Sequence, residues 1–370
     1  MNTAPRFPSH NSMTLLSRLL LVPRGGDPSN AWLLEELNQD LASLSRDRFD
    51  DLLALASLNH VIMRGMAIFL DSVRSNGDQV RAQWALDALA AERKRIDNAI
   101  PVLNEICRAF DECGYEVAVI KSLDHWPDLG SDLDLYTDAK PDEVIHLMTG
   151  RYNASVSARS WGDRIACKWN FEIPGLPESV EIHVGRLGQT GEQSAIASTL
   201  MRHTRLVRVA GRTFRVASKA DRLLISTLQR MYRHFYFRLC DIVDSAALVE
   251  TDGVDFQDLH AVATRAGIWE GTATYLAIVS DYVRNYRGTA LELPPIVTSS
   301  ARFGADATFY ARGFIRVPIM PQSAKLYGSQ LVGILKKREL HNGARLSLLP
   351  WLATAAVVGQ RLTGSDKGIW

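Results

Sequence analysis

The chain is poor in cysteine. Its 370 residues include four, Cys107, Cys113, Cys167 and Cys240, scattered and with no C-x-x-C pair among them. This excludes a disulfide scaffold and the paired-cysteine zinc folds. It implies a reducing compartment in which the thiols mostly fill the core. Long apolar runs are missing as well. No window of about 18 uninterrupted apolar residues occurs, so no transmembrane helix is expected. The apolar stretch from Met13 to Val22 leads into Pro, Arg and two Gly rather than a small-residue cleavage site, which argues against a signal peptide. The expected location is the cytoplasm. Charge of one sign is also lacking, because 42 basic residues face 41 acidic ones for a net charge of +1. So balanced a chain has no strong long-range field, which argues against nucleic acid as the main partner. No internal repeat is visible.

The residues that are present suit an ordinary globular protein, and the length allows two domains of usual size. Residues 1–12 are polar, carry Pro5 and Pro8, and read as a disordered N-terminus. Residues 13–112 read as helical. Asp47 to Leu70 suits a helix pair or one long helix, and Gln79 to Phe110 repeats apolar residues at threes and fours. Within it, Arg93, Lys94 and Arg95 read as a solvated face.

The pattern changes at Gly114. Residues 113–217 carry short β-type runs: Glu116 to Ile120, Asp132 to Tyr136, Arg164 to Ile173 and Val180 to Val184. A hairpin from Leu206 to Ala217 follows, with Ala-Gly-Arg at its turn. In the 164–173 run, Ile165, Cys167, Trp169, Phe171 and Ile173 alternate with the polar Lys168, Asn170 and Glu172. Residues 218–370 return to helical periodicity. They open on Ser218 with Asp221 three residues on, a variant of the capping box, and continue as one apolar stripe: Leu224, Leu228, Met231, Phe235, Leu239, Ile242 and Ala246. Residues 256–288 read as helical, about 290–325 as irregular, and 325–336 and 346–362 as further helices. The expected fold class is α+β, with a small mixed sheet flanked by N-terminal and C-terminal helical regions.

The chemistry concentrates in Asp132-Leu133-Asp134. Residues two apart on a strand face the same way, so both carboxylates project together while Leu133 and Leu135 turn to the core. Adjacent carboxylates repel, and a hard divalent cation relieves the conflict. Read alone, such a pair is equally an edge strand with a solvated acidic face. Glu181, in Val180-Glu181-Ile182-His183-Val184, supplies a third acid from a later strand. Three such carboxylates suffice to hold metal against the phosphates of a nucleotide. Lys121-Ser122 sits at the end of the 116–120 strand, where backbone N–H groups and a hydroxyl come within reach of phosphate oxygens.

The stretch Val117 to Tyr136, with Gly130-Ser131-Asp132-Leu133-Asp134-Leu135 and the later Glu181, resembles the core motif of the polymerase beta-like nucleotidyltransferase superfamily. The wider layout over about residues 45–250 is similar to a bacterial, uncharacterised nucleotidyltransferase family of that superfamily. The resemblance implies a 113–217 catalytic core with Asp132, Asp134 and Glu181 as catalytic and metal-holding acids. It implies Mg2+ or Mn2+, and a nucleoside triphosphate, ATP first among the four, as co-substrate. Lys121, Ser122, Ser131, Lys168 and His183 are the residues expected near the nucleotide. The sequence departs from the family at Lys121-Ser122, where the motif has a Gly-Ser turn. The expected activity is transfer of NMP to an acceptor the sequence does not name. The alternatives are a non-catalytic nucleotide- or partner-binding protein that keeps the fold, and transfer to tRNA or to a protein.

Several further features admit two readings each. Lys168 is a phosphate contact or a surface lysine. His183 orients Glu181, or is simply a satisfied structural histidine. Arg230, His234, Arg238 and Asp241 recur along the helix after Ser218, as a cover for the nucleotide or as a solvated face. The apolar 346–362 segment, preceded by Lys336, Lys337, Arg338 and Arg345, is a core or dimer helix or a peripheral membrane contact.

Overall fold

The computed structural model describes residues 10–23, 31–187, 194–251, 253–336, 338, 340–348, 351 and 355. The class is α+β, a mixed sheet set among helices. The N-terminal helices are α1 (His10–Leu21), α2 (Ala31–Ala42), α3 (Arg46–Leu58), α4 (Ile62–Ser75) and α5 (Gln79–Glu112). Residues 1–9 fall outside the described part. α1 already begins at His10, so residues 10–12 are helical rather than part of a disordered tail. The 47–70 segment is two helices. Asn59 ends the first, and His60 takes a left-handed backbone (φ 52°) between them.

The main sheet comprises β1 (Val117–Val119), β2 (Asp132–Thr137), β3 (Ser155–Val156), β4 (Lys168–Glu172), β5 (Ser179–Val184), β6 (Arg205–Val209) and β7 (Arg212–Val216). Its order is β3-β4-β5-β2-β1-β7-β6. β2 runs parallel to β5 and antiparallel to β1, and β1 runs parallel to β7. α6 (Pro141–Tyr152), α7 (Trp161–Ile165) and α8 (Ser194–Leu200) lie in its connections. The β6–β7 hairpin turns on Ala210 and Gly211, both at positive φ (46° and 78°), the geometry that a two-residue loop between twisted strands requires.

α5 is 34 residues long and serves two cores. Ala82, Ala85 and Leu89 pack among the N-terminal helices. Ile96, Ile100, Leu103 and Phe110 pack under the sheet with Leu133, Leu135, Val180 and Ile182. The strand residues that alternate with these four therefore face away from that core, and they include Asp132, Asp134, Glu181 and His183. Arg95 does not belong to a solvated face, unlike the exposed Arg93 and Lys94. Its guanidinium bonds Glu92, the buried Glu178, and the Leu129 and Gly130 carbonyls at 2.6–3.1 Å, fixing the turn that leads into β2.

Two readings of the sequence are corrected. The 164–173 run is not one strand. α7 extends to Ile165, Cys167 turns with positive φ (52°), and only Lys168–Glu172 is β. The capping box of Ser160 and Asp163 favours the helical start. Nor is the stripe after Ser218 one helix. α9 (Lys219–Thr227) passes into a π-helical turn, Leu228–Arg233, and Phe235 is left-handed (φ 54°). β8 (Tyr236–Phe237) and α10 (Leu239–Glu250) follow. The apolar spacing survives the break because Met231, Leu239 and Ile242 are all buried in the same core, while Phe235 is half-buried against it and Phe237, outside the stripe, fills it.

The C-terminal part continues as α11 (Phe256–Arg265), α12 (Trp269–Arg287), α13 (Pro295–Thr298), β9 (Phe309–Ala311), β10 (Phe314–Arg316), α14 (Ala324–Lys336) and α15 (Leu340–Ser347). The supposedly irregular 290–325 region thus supplies two strands, which form a small sheet with β8 in the order β8-β10-β9. Most of the 346–362 segment lies outside the described residues. Among those described, no helix is long and apolar enough to cross a membrane.

Candidate active site

β2 and β5 pair in register, with Asp134 opposite Glu181 and Tyr136 opposite His183; β4 places Lys168 opposite His183. One face of three adjacent strands therefore carries two carboxylates, an imidazole and an ammonium, with Asp132 two residues before Asp134. Burial grades along this row. Asp132 is exposed at the rim, Asp134 is 9% exposed, and His183 is 1% exposed.

The acids are paired with lysines. The Lys121 ammonium contacts Asp134 and lies 3.1 Å from Glu181. The Lys168 Nζ lies 2.8 Å from both Glu181 and Asp163, an acid of α7 that the sequence reading missed. His183 donates through Nε2 to Glu181 at 2.8 Å. Burial holds the His183 ring near pKa 4, although Glu181 pulls it up, so the ring is a neutral donor that fixes the carboxylate. Burial also pushes the Glu181 carboxyl up, but Lys121, His183 and Lys168 together hold it well below the usual range. Asp134 goes the other way. Burial and the Glu181 charge push it well up, against the pull of Lys121. Asp132, although open to solvent at the rim, has protein packed round its carboxyl, and this partial desolvation and the Glu181 charge raise it. A protonated carboxyl beside an ionised one is the state that a divalent cation would convert to two carboxylates. Asp134 and Glu181 offer carboxylate oxygens within 4.8 Å of each other, with Asp132 two residues before Asp134, and an all-carboxylate set of this kind suits a hard cation.

Lys121 has φ 63° and ψ −60°. The Ser122 N–H donates to the Ile120 carbonyl at 2.6 Å across it. This is a γ-turn with positive φ, a strained form for any residue but glycine. The Ser122 hydroxyl is engaged on both sides. It accepts from the Asp134 N–H at 2.7 Å and donates to the Asp132 carbonyl at 3.0 Å. Ser122 therefore ties the turn to the start of β2 and is only 1% exposed, so its hydroxyl is not turned out toward a ligand. Ser131 lies at the rim, with its hydroxyl 3.4 Å from Asp132.

Strain at Lys121 can be measured separately from its charge. Lys121→Gly and Lys121→Ala both lose the ammonium and differ only at Cβ. The glycine variant is expected to be the more stable by about 1 kcal/mol in urea unfolding, since a positive-φ position costs a Cβ-bearing residue about that much. Equal stabilities would mean that the turn relaxes.

The acids line a cavity of about 180 Å³ together with Gln229, Arg230, Arg233, His234, Tyr236 and Arg238, and with His60 and His125. The break in the stripe after Ser218 creates this lining. A continuous helix would spread these residues over more than half its circumference, whereas the π-turn and the left-handed Phe235 allow all of them to line the one cavity. Of the stripe's polar residues, Arg230, His234 and Arg238 line it. Asp241 stands behind, buried, 2.7 Å from Arg230. Arg233 and Tyr236 were not singled out from the sequence, although an Arg at 230 repeated at 233 was visible there. His60 and His125 carried no sequence signal.

His234 provides a pH test. Burial, then Arg233, Arg230 and Arg238, hold its pKa well below 6.5. The unfolded chain therefore binds a proton that the folded chain refuses. Its contribution is constant above about pH 6.5, and stability falls as pH drops below that value toward the depressed folded pKa. His234→Gln is expected to flatten the loss of stability measured between about pH 6.5 and 5. An unchanged slope would show that the ring protonates freely in the folded cleft.

No family model matches this chain, and neither does any curated protein.

Proposed function

We propose that the chain is a metal-dependent nucleotidyltransferase that transfers NMP from a nucleoside triphosphate, ATP first, to a small-molecule or biosynthetic acceptor and releases pyrophosphate. The observation that carries this reading is that two kinds of side chain line one cavity. They are a register-matched carboxylate row and a cluster of arginines. A triphosphate with its cation needs both: oxygen ligands for the metal and guanidinium donors for phosphate oxygens.

Asp132, Asp134 and Glu181 would hold Mg2+ or Mn2+, which when bound neutralises phosphate charge and favours the ionised acceptor oxygen. The acceptor oxygen bonds to the α-phosphorus as the bond from that phosphorus to the bridging oxygen breaks, and pyrophosphate leaves with the electron pair. Glu181 is too weak a base to take the acceptor's proton while the two lysines and His183 hold it ionised, so its part is to bind the cation. Asp134, protonated in the empty site, would give up its proton to become a ligand of the cation, so the acceptor's proton would pass to solvent. Were a cation to replace Lys121 between the acids, the ammonium would be free to answer the phosphates. Arg233 and Arg238 orient the phosphates.

A second reading, a binding protein without turnover, rests on the Lys121 ammonium bridging Asp134 and Glu181, a bridge that competes with metal. Each of the four NTPs with Mg2+ or Mn2+ and a small-molecule extract tests the choice. Pyrophosphate release with one NTP, lost in the Asp132→Asn/Asp134→Asn double variant, supports transfer, and the adduct mass identifies the acceptor. Metal-dependent nucleotide binding without release supports the second reading. Release that persists in the double variant sinks the site.

A further inference from the structure

A second cluster lies beside the acids and takes no part in the proposed transfer. His60 precedes α4, His125 closes the short turn after Ser122, and Cys240 opens α10. Their ligand atoms lie within 4.8 Å of one another. These three residues come from distant segments, so no spacing motif marks them. The geometry points to a zinc site made by His60, His125 and Cys240.

Four observations support it. First, the His125 Nε2 and the Cys240 Sγ are 3.7 Å apart. That is long for a strong hydrogen bond and close to the roughly 3.6 Å that tetrahedral angles and usual Zn–N and Zn–S bond lengths give. Second, His125 is oriented from behind, with its Nδ1 2.5 Å from Asp244, which Arg64 also holds. A carboxylate on the far nitrogen is the usual support of a metal-binding imidazole. Third, Asn59 latches the other two ligands together. Its side chain accepts from the Leu239 N–H at 2.9 Å, and its carbonyl accepts from the Cys240 N–H at 3.3 Å. The residues next to Asn59 and Leu239 are thereby brought face to face. Fourth, the His60 Nδ1 is buried with no hydrogen-bond partner, a condition that buried polar atoms seldom tolerate unless an ion or water satisfies them.

A Cys–His–Asp relay for nucleophilic attack would use the same atoms, but Cys240 is 0% exposed and no substrate reaches its sulfur. A buried thiolate with two imidazoles selects zinc over the hard ions that suit the acidic row. His60 and His125 border the cavity, from which an ion and a water ligand would reach the site. Binding displaces two protons to solvent, that of the Cys240 thiol and that on Nε2 of the charged His125 ring, while the Nδ1 proton stays with Asp244. The ion would pin the α3–α4 junction and the start of α10 to the turn that carries Lys121.

The test uses the full chain. Protein purified without chelator is assayed for metal by mass spectrometry, then stripped and titrated with Co2+. The expected result is zinc near one per chain and a near-ultraviolet thiolate-to-cobalt charge-transfer band. Cys240→Ala should abolish the band. Asp132→Asn/Asp134→Asn should keep it, which separates this site from the acidic row. No such band in the wild-type chain overturns the proposal, without reliance on any variant folding. So does a band that survives Cys240→Ala, or rapid alkylation of Cys240 in the zinc-loaded chain.

Discussion

Asp134→Asn is expected to cut pyrophosphate release by about 10³-fold or more, the scale seen when a charge-stabilising group is removed from a reaction site, while leaving the folded chain at least as stable as before. The two halves of the expectation share one cause. The Asp134 carboxyl is buried beside another acid, and its ionisation is opposed by burial first and by Glu181. An amide of the same shape removes that conflict, and Lys121 retains Glu181 as its counter-charge. The position thus costs stability in the absence of substrate and is maintained by chemistry. Glu181→Gln should behave differently. Glu181 answers two ammonium groups and accepts the His183 N–H. Neutralising it leaves Lys168 with Asp163 alone and weakens the whole row, at about 2–4 kcal/mol. Loss of activity in both, with loss of stability in Glu181→Gln only, is the signature to seek by paired activity assays and urea unfolding. A strongly destabilised Asp134→Asn would show that its ion pair with Lys121 holds the fold.

The carboxylate row was legible in the sequence because a strand's alternation of two is local. Asp132 and Asp134 share a face wherever the strand lies, and Val180 to Val184 repeats the same code. The mixed sheet and the hairpin were legible for the same reason. The arginine cluster was not. Arg230, His234 and Arg238 keep helical spacing, and Leu224 to Ala246 buries the apolar side of a helix whether or not that helix is interrupted. The interruption is set by tertiary contact: β8 leaves the helical path to pair with β10, about eighty residues on. Lys168 illustrates the same limit. Its strand face was readable, but its partner Asp163 sits on a short helix in a stretch whose alternation mimics β structure. The left-handed Cys167 between them has no signature in a residue type that seldom adopts it. The His60, His125 and Cys240 cluster was invisible because it joins three segments that only the finished packing brings together.

Arg64→Ala is expected to destabilise the chain by about 3–5 kcal/mol, the cost of breaking a buried ionic cluster from one side. Arg64 reaches from α4 to Asp128, which is 1% exposed, at 2.6 Å and to Asp244 of α10 at 2.5 Å. Asp128 also accepts the Met63 N–H at 2.5 Å. One guanidinium therefore joins the N-terminal helices, the turn before β2 and the C-terminal helices. Burial alone pushes the Asp128 carboxyl up, and Arg64 is the strongest opposing influence. Without it, Asp128 must take up a proton or remain charged in the interior. Lysine cannot span both carboxylates, because an ammonium lacks the planar fork that serves two acids at once, so Arg64→Lys should recover less than half of the loss. Adding Asp128→Asn to Arg64→Ala should recover more, since it removes the charge left unanswered, and a double-mutant cycle would assign the coupling. A loss under about 1 kcal/mol would mean that water enters the cluster and solvates it, and that the three parts of the chain are joined by apolar packing alone. A loss of the expected size places the turn that carries Lys121 and the acids of β2 under the control of a residue remote from the reaction. Pyrophosphate release by Arg64→Ala, measured at a temperature where the variant is still folded, should then fall because β2 and its row of acids are no longer held in place beside the arginine cluster.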